Sequence, residues 1–214
     1  MKKIILIIIV VSCMQIHVQA QQRVIAECTV NYAVFVDSLK DKDLQQVMKQ
    51  SSKTVYIKGN NSRTDLVSQG FSQSIIFDKT TSTAVILREL GNNKFMTRLT
   101  DSQWIKENKK YEGLLITPTN ESKTILGYDC KKADIMLKDS STFYVFYATA
   151  IAPSVKDYEY QFKDIPGFVL EYEMPEKNGK KVLYTAIKVN LSPVPVSRFN
   201  IPTSGYRMLE ATKE

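Results

Sequence analysis

From Val24 to Val36 apolar residues recur at every second position. Ala26, Cys28, Val30, Tyr32, Val34 and Val36 share one face of an extended chain. A period of two marks a half-buried strand. The same rhythm, broken by turn residues, runs through most of the sequence. SKTVYIKG and SRTDLVS flank Asn60-Asn61, and FSQSIIFD and STAVILREL flank Lys79-Thr80-Thr81, which predicts two hairpins. Gly91-Asn92-Asn93 turns into KFMTRL. GLLITPT, SKTILGY, KKADIML, STFYVFYAT, GFVLEYE and KVLYTAIKVN follow as further strands, and Asn178-Gly179 is the clearest turn signal.

Two segments leave this rhythm. Ser38 with Asp41 fits a capping box, and Leu44, Val47 and Met48 share a helical face behind it. Thr100 with Gln103 fits another, followed by Trp104, Asn108 and Tyr111 at helical spacing. The expectation is a mainly β chain with two short helices. No repeat or linker divides it, so residues 21–214 are predicted to form a single β-rich domain. Several strands are apolar on both sides: IIF at 75–77, AVIL at 84–87, FYVFY at 143–147 and FVL at 168–170. Both faces of the mid-sheet are therefore expected to be out of water. The interior is either packed solid or leaves a greasy hollow, and the pattern is compatible with both.

The ends change what chemistry is available. Lys2 and Lys3, the apolar run Ile4 to Val11, and Val18-Gln19-Ala20 read as a signal peptide, residues 1–20, cleaved after Ala20. The protein is then expected in the periplasm or secreted. The alternative is a lipoprotein anchored through Cys13 in Val10-Val11-Ser12-Cys13. Cleavage after Ala20 removes His17, the single histidine, and with it Ser-His-Asp, Cys-His and histidine-ligated zinc chemistry. Cys28 and Cys130 remain, 102 positions apart and outside any Cys-x-x-Cys, as a possible disulfide or as two small buried side chains. No metal or cofactor is expected. Without Lys2 and Lys3 the basic residues number 27 against 22 acids. That mild excess lies in scattered lysine pairs that suit solvated edges, not nucleic acid.

ILGYDCKKA followed by KDIPGFVLEYE resembles the GLPGLI family of exported Bacteroidetes proteins, with Asp164-Ile165-Pro166-Gly167-Phe168-Val169 in place of the family's Gly-Leu-Pro-Gly-Leu-Ile. The replaced first glycine points to a sister group of unknown function. YIKG, SRTDL, AVILRELG, PSVKDYEYQFKDIPG and LSPVPVSRFNIPTSGYR look like that group over almost the whole mature chain. The resemblance implies a fold like the periplasmic lipoprotein carriers: a curved antiparallel sheet or incompletely closed β-barrel, with helices plugging the concave side. It brings no catalytic residue set.

Trp104, Tyr111, Phe143, Tyr144, Phe146, Tyr147 and Phe168 are the candidate lining of an apolar ligand site, although a packed core would use the same residues. Arg63 and Arg88 could meet an anionic head group at its mouth, or lie exposed on the outer face. Cys130, in apolar company, reads as an inert thiol. Pro166-Gly167 reads as a corner or bulge, the glycine permitting positive φ. The proline-bearing tail from Leu191 could wrap the sheet, with Phe199, Ile201 and Tyr206 tucked under, or engage an envelope partner. Asp41-Lys42-Asp43 lacks the rest of a calcium loop. The expectation is an exported envelope-associated protein, not an enzyme, that holds an acyl chain, lipid or lipoprotein anchor, with peripheral membrane contact open to it. The alternative is a structural or interaction protein with a filled core and no ligand.

Overall fold

The structure, a computed structural model, describes residues 21–36, 51–175 and 181–211. The predicted signal peptide, the helix behind Ser38 with Asp41-Lys42-Asp43, and the Asn178-Gly179 turn lie outside them. The strands are β1 (Arg23–Ile25), β2 (Glu27–Val36), β3 (Ser52–Lys58), β4 (Asn61–Ser68), β5 (Phe71–Asp78), β6 (Thr83–Leu90), β7 (Asn93–Leu99), β8 (Leu115–Ile125), β9 (Tyr128–Met136), β10 (Thr142–Ala148), β11 (Ile151–Pro153), β12 (Phe168–Pro175), β13 (Lys181–Asn190) and β14 (Arg207–Leu209). One α-helix is described, α1 (Asp101–Glu107). Twelve strands form one sheet in the order β14-β7-β6-β5-β4-β3-β2-β13-β12-β10-β9-β8. Neighbours are antiparallel except β14, which runs parallel to β7. β1 and β11 make a separate parallel pair. The outermost strands β14 and β8 do not meet, so the sheet is open and not closed into a barrel.

Register assigns the faces. Cys28, Val30 and Tyr32 on β2 stand opposite Ile57, Val55 and Lys53 on β3, which stand opposite Ser62, Thr64 and Leu66 on β4. This inner face continues through Phe77, Ile75 and Gln73 on β5. Laid flat, twelve strands would span about 50 Å. The segment 156–162 nevertheless reaches residues on both sides of the sheet's centre. Thr64 Oγ1 donates to Tyr158 O at 3.3 Å, Tyr160 meets Trp104, and Phe162 meets Tyr172 on β12. The sheet curves round this segment.

The two-sided strands of the first half have a cover on each side. Ile75, Phe77, Ala84 and Ile86 belong to the inner core. Ile76, Val85, Leu87 and Met96 form a second cluster on the outer face, under Phe199, Ile201 and Tyr206 of the tail. The tail wraps the sheet as its sequence suggested. Arg63 fastens it, donating from Nη1 to Arg198 O at 2.8 Å.

Helix α1 starts where the capping box placed it. The Thr100 side chain accepts from Gln103 N, and Gln103 Oε1 accepts from Thr100 N at 2.9 Å. Asn108 ends it, with Nδ2 donating to Trp104 O at 2.9 Å. Tyr111 follows in a 3-10 turn, Lys109–Tyr111.

Two local features depart from the sequence reading. The strand predicted over SKTILGY stops at Ile125, because Leu126-Gly127 forms a two-residue hairpin turn with φ of 51° and 81° between β8 and β9. Leu126 is therefore at an exposed tip. At Pro166-Gly167 the glycine serves a close approach, not a positive φ. A Cβ there would lie 2.2 Å from Ala148 O and 2.8 Å from Tyr147 Cδ2. The bulge follows at Leu170, where β12 carries one residue more than β10 between the Phe146–Glu171 and Tyr147–Val169 pairs.

Candidate functional site

Strand alternation puts a lysine where the core should be. On β3, Val55 and Ile57 are buried on the inner face, and Lys53 is in phase with them. A buried ammonium needs a counter-charge and hydrogen bonds, since desolvation costs several kcal/mol. Lys53 has both. Nζ is ion-paired with Glu159 and donates to Tyr172 Oη. The two charged side chains are only 7% and 8% exposed. The rings of Tyr172, Tyr184 and Tyr32 surround Nζ at 4.7, 5.0 and 5.6 Å from their centroids. Tyr172 and Tyr184 face each other across β12 and β13 and stack at 4.6 Å and 10°. Burial lowers the Lys53 pKa, and the adjacent Glu159 charge opposes that shift.

Glu159 comes from the irregular segment, between the 3-10 turns Lys156–Tyr158 and Tyr160–Phe162. Gln161 Nε2 donates to its Oε2 at 3.0 Å. The segment is tied to the loop behind α1 through Glu112, which accepts from Lys163 Nζ at 2.6 Å and from Tyr160 Oη. Lys163 and then Tyr160 hold the Glu112 carboxyl below its usual range. Tyr32 Oη donates to Val169 O at 2.7 Å. Burial pushes the hydroxyls of Tyr32, Tyr158 and Tyr172 well above the ordinary tyrosine pKa, so all three keep their protons near neutrality.

Above this floor lies a cavity of about 380 Å³, bounded by β3, β4, β5, the α1 region, the 158–161 segment, β12 and β13. Its size falls at the lower end of small-molecule sites, roughly 300–1,000 Å³. Ile75, Leu66 and Met174 give it apolar wall. Trp104, Tyr111, Tyr158, Tyr160, Tyr172 and Tyr184 give it aromatic wall, and Lys53, Glu159, Lys110, Gln73 and Asn108 give it polar groups. Such a lining suits an amphipathic ligand: rings and methylenes for an apolar body, and fixed donors for a polar end.

The predicted lining divides. Trp104 and Tyr111 line the cavity. Phe143, Tyr147 and Phe168 do not, being packed in the core, with Phe168 against Tyr158 at 5.4 Å. Tyr144 and Phe146 share the face of Lys132 and lie under lysines, Lys132 at 5.3 Å from the Tyr144 ring and Lys123 at 4.1 Å from the Phe146 ring. The run is apolar on both sides because core fills one side and lysine-capped rings occupy the other. Arg63 is on the outer face, bound to Asp65 Oδ1 at 2.6 Å, Ser74 Oγ at 3.1 Å and the tail. Arg88 is exposed and reaches the site only through Gln73, donating from Nε to its Oε1 at 2.9 Å. Glu171, buried on the Phe146 side, accepts from Lys123 Nζ and Thr185 Oγ1. Lys53 was within reach of sequence reading, as a lysine in phase with Val55 and Ile57. Glu159, Tyr158 and Tyr160 were not, because nothing periodic marks an irregular segment.

Cys28 and Cys130 are free thiols, not a disulfide. Three strands separate β2 from β9, roughly 19 Å along the sheet, whereas a bridge needs Cα atoms within about 7 Å. Burial pushes Cys28 up to about 12 and Cys130 up to about 11, the values of inert thiols. Among the described residues no group of three or more histidine, cysteine, aspartate or glutamate side chains is placed to hold a metal ion. No helix among them is long and apolar enough to cross a membrane.

Comparison with known proteins gives the following. No curated protein matches the chain. Two structures of PNGF-II, in space groups P21 and C2, are 17% and 19% identical to it, each with a TM-score of 0.49 over 86% of this chain. The chain spans under a third of their length, 31% and 30%. MucB is 9% identical with a TM-score of 0.42, covering 83% of this chain and 58% of its own. A LolA superfamily protein from Nitrosomonas europaea is 14% identical with a TM-score of 0.33, covering 83% and 91%. The family that matches by sequence, over residues 33–200, is described as N-glycanase peptide, N-terminal domain. It is not the GLPGLI family that the Gly-Tyr-x-Cys-Lys-Lys-Ala and Ile-Pro-Gly segments resemble. The chain belongs to the family of N-glycanase peptide N-terminal domains.

Proposed function

We propose that this protein is an exported binding module that holds an amphipathic ligand with an acyl-like apolar body on the inner face of its sheet. The observation that carries this reading is the cavity of about 380 Å³ walled by Trp104, Tyr111, Tyr172 and Tyr184. At about 0.8 kcal/mol per buried methylene, ten methylenes supply roughly 8 kcal/mol, the scale of micromolar capture. The polar groups serve orientation and not catalysis: Glu159 and Lys53 neutralise each other, and the tyrosines hold their protons. The family's description as an N-terminal domain agrees with a binding role, with any chemistry of longer relatives supplied by their other parts.

The test is uptake of a neutral probe, 1-dodecanol, followed by native mass spectrometry and by the emission of Trp104, the only tryptophan in the chain. One bound molecule and a blue-shifted emission are expected. Leu66→Trp, which narrows the cavity, abolishes the mass shift. Absence of uptake of any amphiphile by the folded protein overturns the reading. It would favour the second one, a filled structural or interaction protein, for which the packed Phe143, Tyr147 and Phe168 already speak.

A further inference from the structure

Resting on the reading just given, the unused hydrogen-bonding capacity of the cavity names the class of ligand. Trp104 is 6% exposed, it lines the cavity, and its Nε1 is buried with no hydrogen-bond partner among the described residues. A buried N–H without an acceptor costs about 1–3 kcal/mol, so such groups are rare without a reason. The ring is otherwise well held, stacked on Phe77 at 5.7 Å and edge-on to Tyr160 at 6.1 Å. The indole is therefore held in place beside the cavity.

The polar groups of the lining offer both donors and acceptors: the amide N–H groups of Asn108 and Gln161 are engaged, which leaves their oxygens to accept. Gln73 uses its Oε1 to accept from Arg88, which leaves its amide N–H₂ to donate. Lys110 Nζ sits 4.7 Å from the Tyr111 ring centroid. The single carboxylate of the lining, Glu159, is already engaged by Lys53 and Gln161. Two lysines against one glutamate leave the lining with a formal charge of +1. What the cavity has to spare is positive charge and the unpaired indole N–H of Trp104.

We propose that the cavity takes an acidic amphiphile, a carboxylate-bearing acyl chain, whose oxygen accepts from Trp104 Nε1 while Lys110 supplies the countercharge. Cationic amphiphiles are disfavoured, because the one anionic side chain of the lining is already paired.

Isothermal titration of the full chain at neutral pH with dodecanoate, 1-dodecanol and dodecylamine below their aggregation limits tests this. Dodecanoate is expected to bind at least tenfold more tightly than dodecylamine, with dodecanol between them. Trp104→Phe keeps the ring and removes the donor, and it should weaken dodecanoate about fivefold. Lys110→Gln, at an exposed position, should bring dodecanoate close to dodecanol and leave the melting temperature unchanged. Equal affinity for all three probes, or a preference for the amine, overturns the acidic assignment and leaves the binding reading standing. Tight dodecanoate binding that neither variant changes also overturns it, as charge recognition elsewhere. Failure of all three probes to bind overturns the binding reading and this inference together.

Discussion

Gly167 and Leu126 sit one in a close approach and one in a turn, and the two positions predict opposite outcomes. At Gly167 a methyl group would press on the Ala148 carbonyl from 2.2 Å, and β10 backbone cannot yield as a flexible side chain would. Gly167→Ala is expected to lose about 2–3 kcal/mol of stability, read as a lower urea midpoint with an unchanged slope. At Leu126 the strain is already present, since a bulky residue holds φ of 51° where type I′ turns prefer asparagine or glycine. Leu126→Asn should gain about 1 kcal/mol in the same assay. Lys53 gives a third prediction. Lys53→Met alone strands the Glu159 carboxylate in the core and should cost about 3–5 kcal/mol, and adding Glu159→Gln should recover a large part of it. An additive double mutant would mean that the pair does not act as a unit.

At the scale of elements, short pieces with exposed sides do the closing. The tail crosses the outer face, covers Ile76, Val85, Leu87 and Met96, and adds β14 to the β7 edge. Truncation before Pro193 should expose that cluster, raise binding of an apolar dye and lower the melting temperature. A partner that needs the tail free would have to compete with these contacts. The segment 156–163 holds Glu159 over the sheet through Lys53 and reaches the α1 loop through Glu112. This irregular segment contributes one wall of the cavity through Tyr158, Glu159, Tyr160 and Gln161.

For the molecule as a whole, the buried cysteines and tyrosines outnumber Lys53, whose lowered pKa acts the other way, and so set the response to alkaline pH. Cys28 reaches about 12 and Cys130 about 11 in the folded state, against about 8.5 in an unfolded chain. Above pH ~9 the unfolded state loses protons that the folded state keeps. Stability should therefore fall as pH rises, by up to about 1.4 kcal/mol per pH unit for each such group, until the folded pKa is passed. Tyr32, Tyr158 and Tyr172 act in the same direction from about pH 10 upward. Denaturant titrations at pH 8, 9.5 and 10.5 check this, and a flat profile would contradict the burial. The thiols themselves should react with a maleimide only after unfolding.

Local rules were enough for what depends on neighbours along the chain. The period of two gave the strands of the large sheet except β14, Thr100 and Gln103 gave the start of α1, and the prolines after Leu191 excluded a central strand and left the tail free to cross the sheet. Lys53 is in phase with Val55 and Ile57, a signal the alternation carries but that composition and motifs did not single out. Strand order, curvature and the course of the 156–163 segment depend on contacts between residues far apart in sequence, and single-strand patterns carry no record of them. Only the tertiary structure could therefore separate Trp104 and Tyr111, which border a cavity, from Phe143, Tyr147 and Phe168, which fill the core. Only it could place the two cysteines three strands apart. Hydrophobicity fixes that a side chain leaves water; the fold decides whether it meets another side chain or an open space.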